Sequence, residues 1–398
     1  MKKIWIPIII VAIAVICILL FRKHDFKVTW TPVDNQEVVQ KPILKVYMES
    51  SGSMDGYLCD GAEFKDAIYS YVSTLASYSD TLQLNYINSQ ILPYSGTLQK
   101  FVRDLNIETF RKIGGNRANS DLGEMFDVIL KSHDKRTVSI FISDCILDVP
   151  QGDAKDYLVN REIDIRNAFV SKLEQNRNLG VEIFRLESKF DGFHYSYRGK
   201  TKLTGVKRPY YMWIIGDKSI LADLNKKVPF SEIKHGYKNY YAYSTYDDVP
   251  FEITNQFDLV QNPCVIKNSV NGVYEIKIRV NLSKTLQTEN ILCDINRYVT
   301  HNPNKVMVSA VETLADKNDK NTHVITLKID VNTKSCAETV KLVLPKTPKW
   351  LAYANDETGE DIMNNIDKTT GIRNILTGVA EAYQNHLELA AIKFVINN

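Results

Sequence analysis

The sequence predicts an α/β protein: a doubly wound, mostly parallel sheet with Rossmann-type layers, then an antiparallel β-sandwich and a short C-terminal tail of mixed helix and strand. Three observations predict it. Between residues 43 and 249 short apolar runs alternate with helical stripes, as buried strands and their covering helices would. After residue 250 the strands follow one another with two-residue alternation and no helices between them. Finally, two of the early strands empty into loops carrying oxygen side chains, Glu49-Ser50-Ser51-Gly52-Ser53 after the first and Asp144 after the second. Ligands of such sheets sit at the carboxyl ends of strands.

A chain of 398 residues is too long for one ordinary core, so more than one domain is expected. With 44% hydrophobic and 24% charged residues the composition is that of a folded protein. A net charge of +2 gives no electrostatic bias toward nucleic acid. After Met1-Lys2-Lys3, the 18 residues Ile4 to Phe21 carry no charge, and Arg22-Lys23-His24 follows. As a helix this stretch spans roughly 27 Å, enough for the hydrocarbon layer. A cleaved signal peptide is the competing reading, but Ile18-Leu19-Leu20-Phe21-Arg22 is a bulky, basic exit rather than a small-residue cleavage site.

The expectation is therefore a transmembrane signal-anchor over residues 1–24, crossing with residues 4–21, and a spacer over 25–42. Basic residues flank both ends of the span. The short Lys2-Lys3 head orients the protein as single-pass with its body on the extracytoplasmic (periplasmic) side. Of six cysteines, Cys17 falls in the anchor, leaving Cys59, Cys145, Cys264, Cys293 and Cys336, an odd set with one thiol unpaired in a monomer.

Within residues 43–249 the elements follow in order. Ile43 to Met48 reads as a buried strand, and Phe64, Ile68, Tyr71 and Leu75 recur at helical spacing. Strands follow at Leu82 to Ile87 and Ile91 to Tyr94. Helical material from Leu98 to Ile113 stops at Gly114-Gly115. Leu122, Met125, Phe126, Ile129 and Leu130 mark a helix, Thr137 to Ser143 a strand, and Ile165, Phe169 and Leu173 a further helix. Val181 to Leu186 and Tyr210 to Ile215 close the series. The Tyr-rich stretches 193–213 and 235–243 read as half-exposed β surface rather than a single-stranded nucleic-acid platform.

Glu49, Ser51 and Ser53 stand two residues apart on the first loop, and Asp144 follows a second strand in the same way. Ser120, in Asn119-Ser120-Asp121-Leu122-Gly123-Glu124, offers a third hydroxyl. Each has an ordinary reading, as turn residues or, for Ser120, as a helix N-cap. Placed together at one rim they suit a hard cation, which takes a few protein oxygens and keeps several waters.

In these positions the chain resembles the von Willebrand factor A family, the integrin I-domain fold, whose metal-ion-dependent adhesion site (MIDAS) reads Asp-x-Ser-x-Ser, then a Thr, then an Asp. The matching residues here are Glu49, Ser51, Ser53, Ser120 and Asp144, and the likeness covers roughly residues 43 to 230. Two departures stand out: Glu49 replaces Asp, which pushes the carboxylate about 1.5 Å outward, and Ser120 replaces Thr. The resemblance implies a divalent cation, Mg²⁺ foremost with Mn²⁺ or Ca²⁺ as alternatives, and a protein partner offering an acidic residue to it. If the family's strand order holds, Cys59 and Cys145 lie near enough for a disulfide beside the metal.

No catalytic constellation competes. The seven histidines form no His-Glu-x-x-His pair, and Gly199-Lys200-Thr201 lacks the leading glycine of a phosphate loop. Residues 250–347 read as an immunoglobulin-like sandwich, with alternation over Tyr274 to Leu282, Ile325 to Val331 and Thr339 to Leu344. Residues 348–398 form a C-terminal extension with a helical stripe, Ile372, Leu376, Val379 and Tyr383, and a final strand near Ala390 to Ile396. The expected function is cation-dependent capture of a protein partner, for adhesion or complex assembly, by a membrane-anchored protein that is not an enzyme. The alternative is a metal-independent structural scaffold of an envelope complex.

Overall fold

A computed structural model describes residues 26–33, 40–117, 121–152, 154–255, 257–316, 319–383 and 388–398. Strand β2 (Ile43–Glu49) lies inside a seven-stranded sheet, flanked in parallel by β3 (Thr81–Ile87) and β5 (Thr137–Ser143). The short β4 (Ile91–Tyr94) closes one side antiparallel to β3. On the other side come β7 (Gly199–Asp217), β6 (Leu179–Ser196) and β8 (Tyr237–Tyr243), in the order β4-β3-β2-β5-β7-β6-β8.

The expected doubly wound, mostly parallel sheet is corrected here. The β5–β7, β6–β7 and β6–β8 ladders are all antiparallel, as is β3–β4, so only two ladders of the sheet are parallel. The cause is local. Strands β6 and β7 are joined by a tight hairpin, Ser196 opposite Gly199, with Gly199 at φ +116°, and β7 inserts antiparallel between β5 and β6. A left-handed backbone at that turn is what glycine supplies without steric cost.

Helices cover both faces. On one face α1 (Phe64–Ser77) packs Phe64, Ile68, Tyr71 and Leu75 against Leu44, Val46 and Met48. On the other face lie α2 (Leu122–Lys131), α3 (Ala154–Gln175) and α4 (Ile372–Ala382). There Phe126, Phe169, Ile375 and Val379 enclose Tyr47, Phe141 and Trp213. Helix α4 approaches α3 so closely that a Cβ at Gly378 would stand 2.5 Å from the Glu162 carbonyl oxygen. The C-terminal helical stripe is thus core to the first sheet.

A second core belongs to a β-sandwich. One of its sheets pairs residues Phe26–Trp30 (β1) with the last strand, Glu388–Asn397, and with Cys264–Ile266. The facing sheet runs Phe251–Thr254, Val273–Val280, His323–Asp330 and Val306–Thr313 in that order, all antiparallel. Residues 26–30, read from sequence as spacer, therefore form a strand whose Phe26, Val28 and Trp30 are buried.

Among the described residues no helix is long and apolar enough to cross a membrane. The expected transmembrane signal-anchor, and with it the single-pass extracytoplasmic placement, is corrected to that extent: no described helix bears it out. The segment on which it rested, residues 1–24, lies outside the described residues.

Candidate functional site

Glu49 closes β2 and is 1% exposed. The Ser50 backbone N–H donates to the Ile87 carbonyl at 2.8 Å, the last rung of the parallel ladder to β3, and the chain then leaves the sheet. Ser51 and Ser53 follow, their hydroxyls 3.0 Å apart, and Ser53 opens a short 3-10 helix, Ser53–Leu58. Arg117 clamps this loop from outside. Its guanidinium donates to the carbonyls of Ser50 at 2.8 Å and Ser51 at 3.1 Å and pairs with Asp55 at 2.5 Å.

Strand β5 ends at Ser143, whose hydroxyl donates to Glu49 Oε2 and accepts the Cys145 backbone N–H at 2.8 Å. Asp144 is 2% exposed; its Oδ1 accepts the Ile146 N–H at 3.3 Å, and its Oδ2 is buried without a hydrogen-bond partner. Burial, and then the nearby Glu49 charge, push the Asp144 carboxyl up to about 7, while the Ser53 hydroxyl and Arg208 pull the other way. The structure thus brings Glu49, Ser51, Ser53 and Asp144 to one rim of the sheet. Ser120 lies outside the described residues, and α2 is capped instead by Asp121, whose carboxylate accepts the Glu124 N–H at 3.1 Å.

The hairpin β6–β7 projects past this rim, beyond the Ser143–Tyr211 and Tyr211–Arg185 pairs. Phe190 lies over Gly56, and a Cβ on Gly192 would stand 2.6 Å from the Gly56 Cα. Arg208 on β7 is 2% exposed, with its guanidinium carbon 5.4 Å from the Phe190 ring centroid. Ser143, Arg117 and Arg208 escaped sequence reasoning. The first was legible as a hydroxyl next to Asp144; the other two come from distant segments that only the fold brings near.

The disulfide suggested by the family likeness is absent: Cys59 and Cys145 are both free thiols. They face different surroundings. Cys145 lies in the core beneath Trp213, whose indole N–H donates to its sulfur at 3.2 Å, whereas Cys59 points at the Lys189 carbonyl of the hairpin.

Among the described residues no group of three or more His, Cys, Asp and Glu side chains could hold a metal ion. The expectation of a metal-binding, MIDAS-type centre is corrected to that extent: of its five residues only Glu49 and Asp144 are of these types. What the rim offers is a smaller donor set: two buried carboxylates, one with an unsatisfied oxygen, and two hydroxyls. Such a set suits a hard cation that retains water. No protein-family model matches the sequence, and no curated protein matches it.

Proposed function

We propose that this protein captures an acidic group of a protein partner through a divalent cation, Mg²⁺ foremost, held by Glu49, Asp144, Ser51 and Ser53. Ser120 joins this set by sequence expectation alone. One observation carries the reading: two carboxylates are buried side by side, and the Asp144 Oδ2 has no hydrogen-bond partner. Burying a charged oxygen unpaired is costly, and a cation removes that cost. Incomplete coordination by protein atoms leaves positions for water or a partner's carboxylate. Binding rather than turnover fits the surroundings of the hydroxyls. Ser51 and Ser53 bond to each other, while His133, His194 and His323 bond to Ser139, Gly359 and Thr322.

A second reading has its own support. Arg208 is a buried cation within electrostatic reach of Asp144, so a metal-free scaffold offsets one of the two carboxylate charges internally, and a proton retained by Asp144 offsets the other. Calorimetry of the full chain with Mg²⁺, Mn²⁺ and Ca²⁺, with Asp144→Ala as control, separates the two. Saturable binding lost in the variant supports capture; flat traces for all three ions support the scaffold.

A further inference from the structure

A cleft of about 1540 Å³ lies at the opposite end of the first sheet from the rim. There the helix Lys218–Lys227, entered directly from β7, faces one end of the sandwich. Part of the cleft floor is a row of strand partners. Phe251, Val280 and His323 stand side by side across three antiparallel strands, and Trp30 of the facing sheet closes on Phe251 with ring centroids 6.3 Å apart. Trp30, Phe251 and His323 all line the cleft, and His323 is only 4% exposed. Two buried polar atoms of the lining residues have no hydrogen-bond partner among the described residues: His323 Nε2 and Gln287 Oε1.

Both are acceptors. Gln287 donates its amide N–H groups to the carbonyls of Ala242 at 3.0 Å and Thr285 at 3.1 Å, which fixes Oε1 on the other side of the amide. His323 Nδ1 stands 2.8 Å from the Thr322 hydroxyl. That hydroxyl accepts the Leu282 N–H at 2.9 Å and donates to the Val280 carbonyl at 3.3 Å. This chain of bonds assigns the imidazole proton to Nδ1 and leaves a lone pair on Nε2. Burial lowers the imidazole to about 4, so the ring is neutral near pH 7. The charged groups of the wall are engaged with one another: Lys227 pairs with Asp223 at 2.6 Å, Lys320 with Glu252 and Asp319 with Arg279.

We propose that this cleft binds a neutral, hydroxyl-rich ligand, a short oligosaccharide, whose O–H groups donate to His323 Nε2 and Gln287 Oε1. Buried acceptors call for donors, and a carboxylate or phosphate brings only further acceptors. An ammonium brings donors, but it must compete with lysines already paired to the carboxylates of the wall. A peptide main chain brings N–H and C=O groups in equal number, and only the first meet an unpartnered atom here. A sugar hydroxyl donates without charge, and the C–H face of the ring suits the apolar wall at Pro229 and Phe230. The volume exceeds the roughly 300–1,000 Å³ of an ordinary small-molecule pocket, which favours several linked rings over one.

The test probes an array of immobilised neutral and acidic oligosaccharides with the full chain, then titrates the neutral glycan retained best, in soluble form, by calorimetry. Wild type is expected to retain neutral glycans with chelator present as well as absent. His323→Phe and Gln287→Leu, each checked for an unchanged fold by circular dichroism, are expected to weaken that glycan about five- to tenfold, the worth of one hydrogen bond between uncharged groups. Should His323→Phe not fold, Gln287→Leu decides alone. Retention of acidic glycans only, or of none, overturns the inference. Neutral binding that the folded variants leave unchanged overturns it as well. Cation capture at the rim stands or falls separately, because the cleft shares no residue with Glu49, Ser51, Ser53 and Asp144.

Discussion

Asp144→Asn should stabilise the cation-free protein while abolishing its site. In the folded chain the Asp144 carboxyl is raised from 3.8 to about 7 by burial and by Glu49. The folded state therefore keeps a proton that the unfolded state releases. Below about pH 4 both states hold it and Asp144 costs nothing. Through the window from about 4 to 7 the penalty grows, and above 7 it is complete. A shift of about three units corresponds to a ceiling of roughly 4 kcal/mol. The amide keeps the shape of the side chain, carries no charge and offers Glu49 an N–H. Urea unfolding of chelator-treated protein measures the difference. The variant should gain about 2–4 kcal/mol near pH 8, and the gain should vanish near pH 4. Equal or lower stability of the variant at pH 8 would mean that Glu49 and Asp144 do not strain one another, and the electrostatic picture of the rim would fail.

A second buried acid gives a control away from the site. Glu182 is raised to about 7 by burial, against hydrogen bonds from Tyr240 at 2.7 Å and Asn225 at 2.6 Å. Its penalty also appears as pH rises from about 4.5 to 7, so Glu182→Gln should add up to about 3 kcal/mol near pH 8 and leave cation binding unchanged, as unfolding and calorimetry would show. Ser143→Ala removes the hydroxyl that orients Glu49 and should weaken Mn²⁺ roughly tenfold with little loss of melting temperature. Gly192→Ala would drive a Cβ to 2.6 Å from the Gly56 backbone, costing about 1–3 kcal/mol in unfolding experiments and lifting the hairpin from the Ser53–Leu58 turn.

Much of the local structure was legible, and its wiring was not. The strand at Thr137 is buried along its whole length and those at Ile43 and Leu82 over their last four residues, so little alternation is left to read, and the same holds at Val181 and Tyr210. Continuous apolar runs suggest parallel strands because helices usually cover both faces of parallel sheets. Here helices from distant parts of the chain, α3 and α4 with Ile165 and Val379, bury an antiparallel β7 equally well. Periodicity reports burial, not the direction of the neighbour. The strand Phe26–Trp30 was missed for a related reason: its partners, residues 264–266 and 394–397, stand far away in sequence. Glu49 and Asp144 were readable because each directly follows an apolar strand, whereas Arg208 looked like one more charge in a Tyr-rich stretch.

Anomalous diffraction from crystals of the full chain soaked in Mn²⁺ tests the central proposal most directly. Cation capture predicts one strong peak within about 2.2 Å of a carboxylate oxygen of both Glu49 and Asp144, or of one with a shared water to the other. Density showing only water there at saturating Mn²⁺, with Arg208 turned onto Asp144, would contradict it.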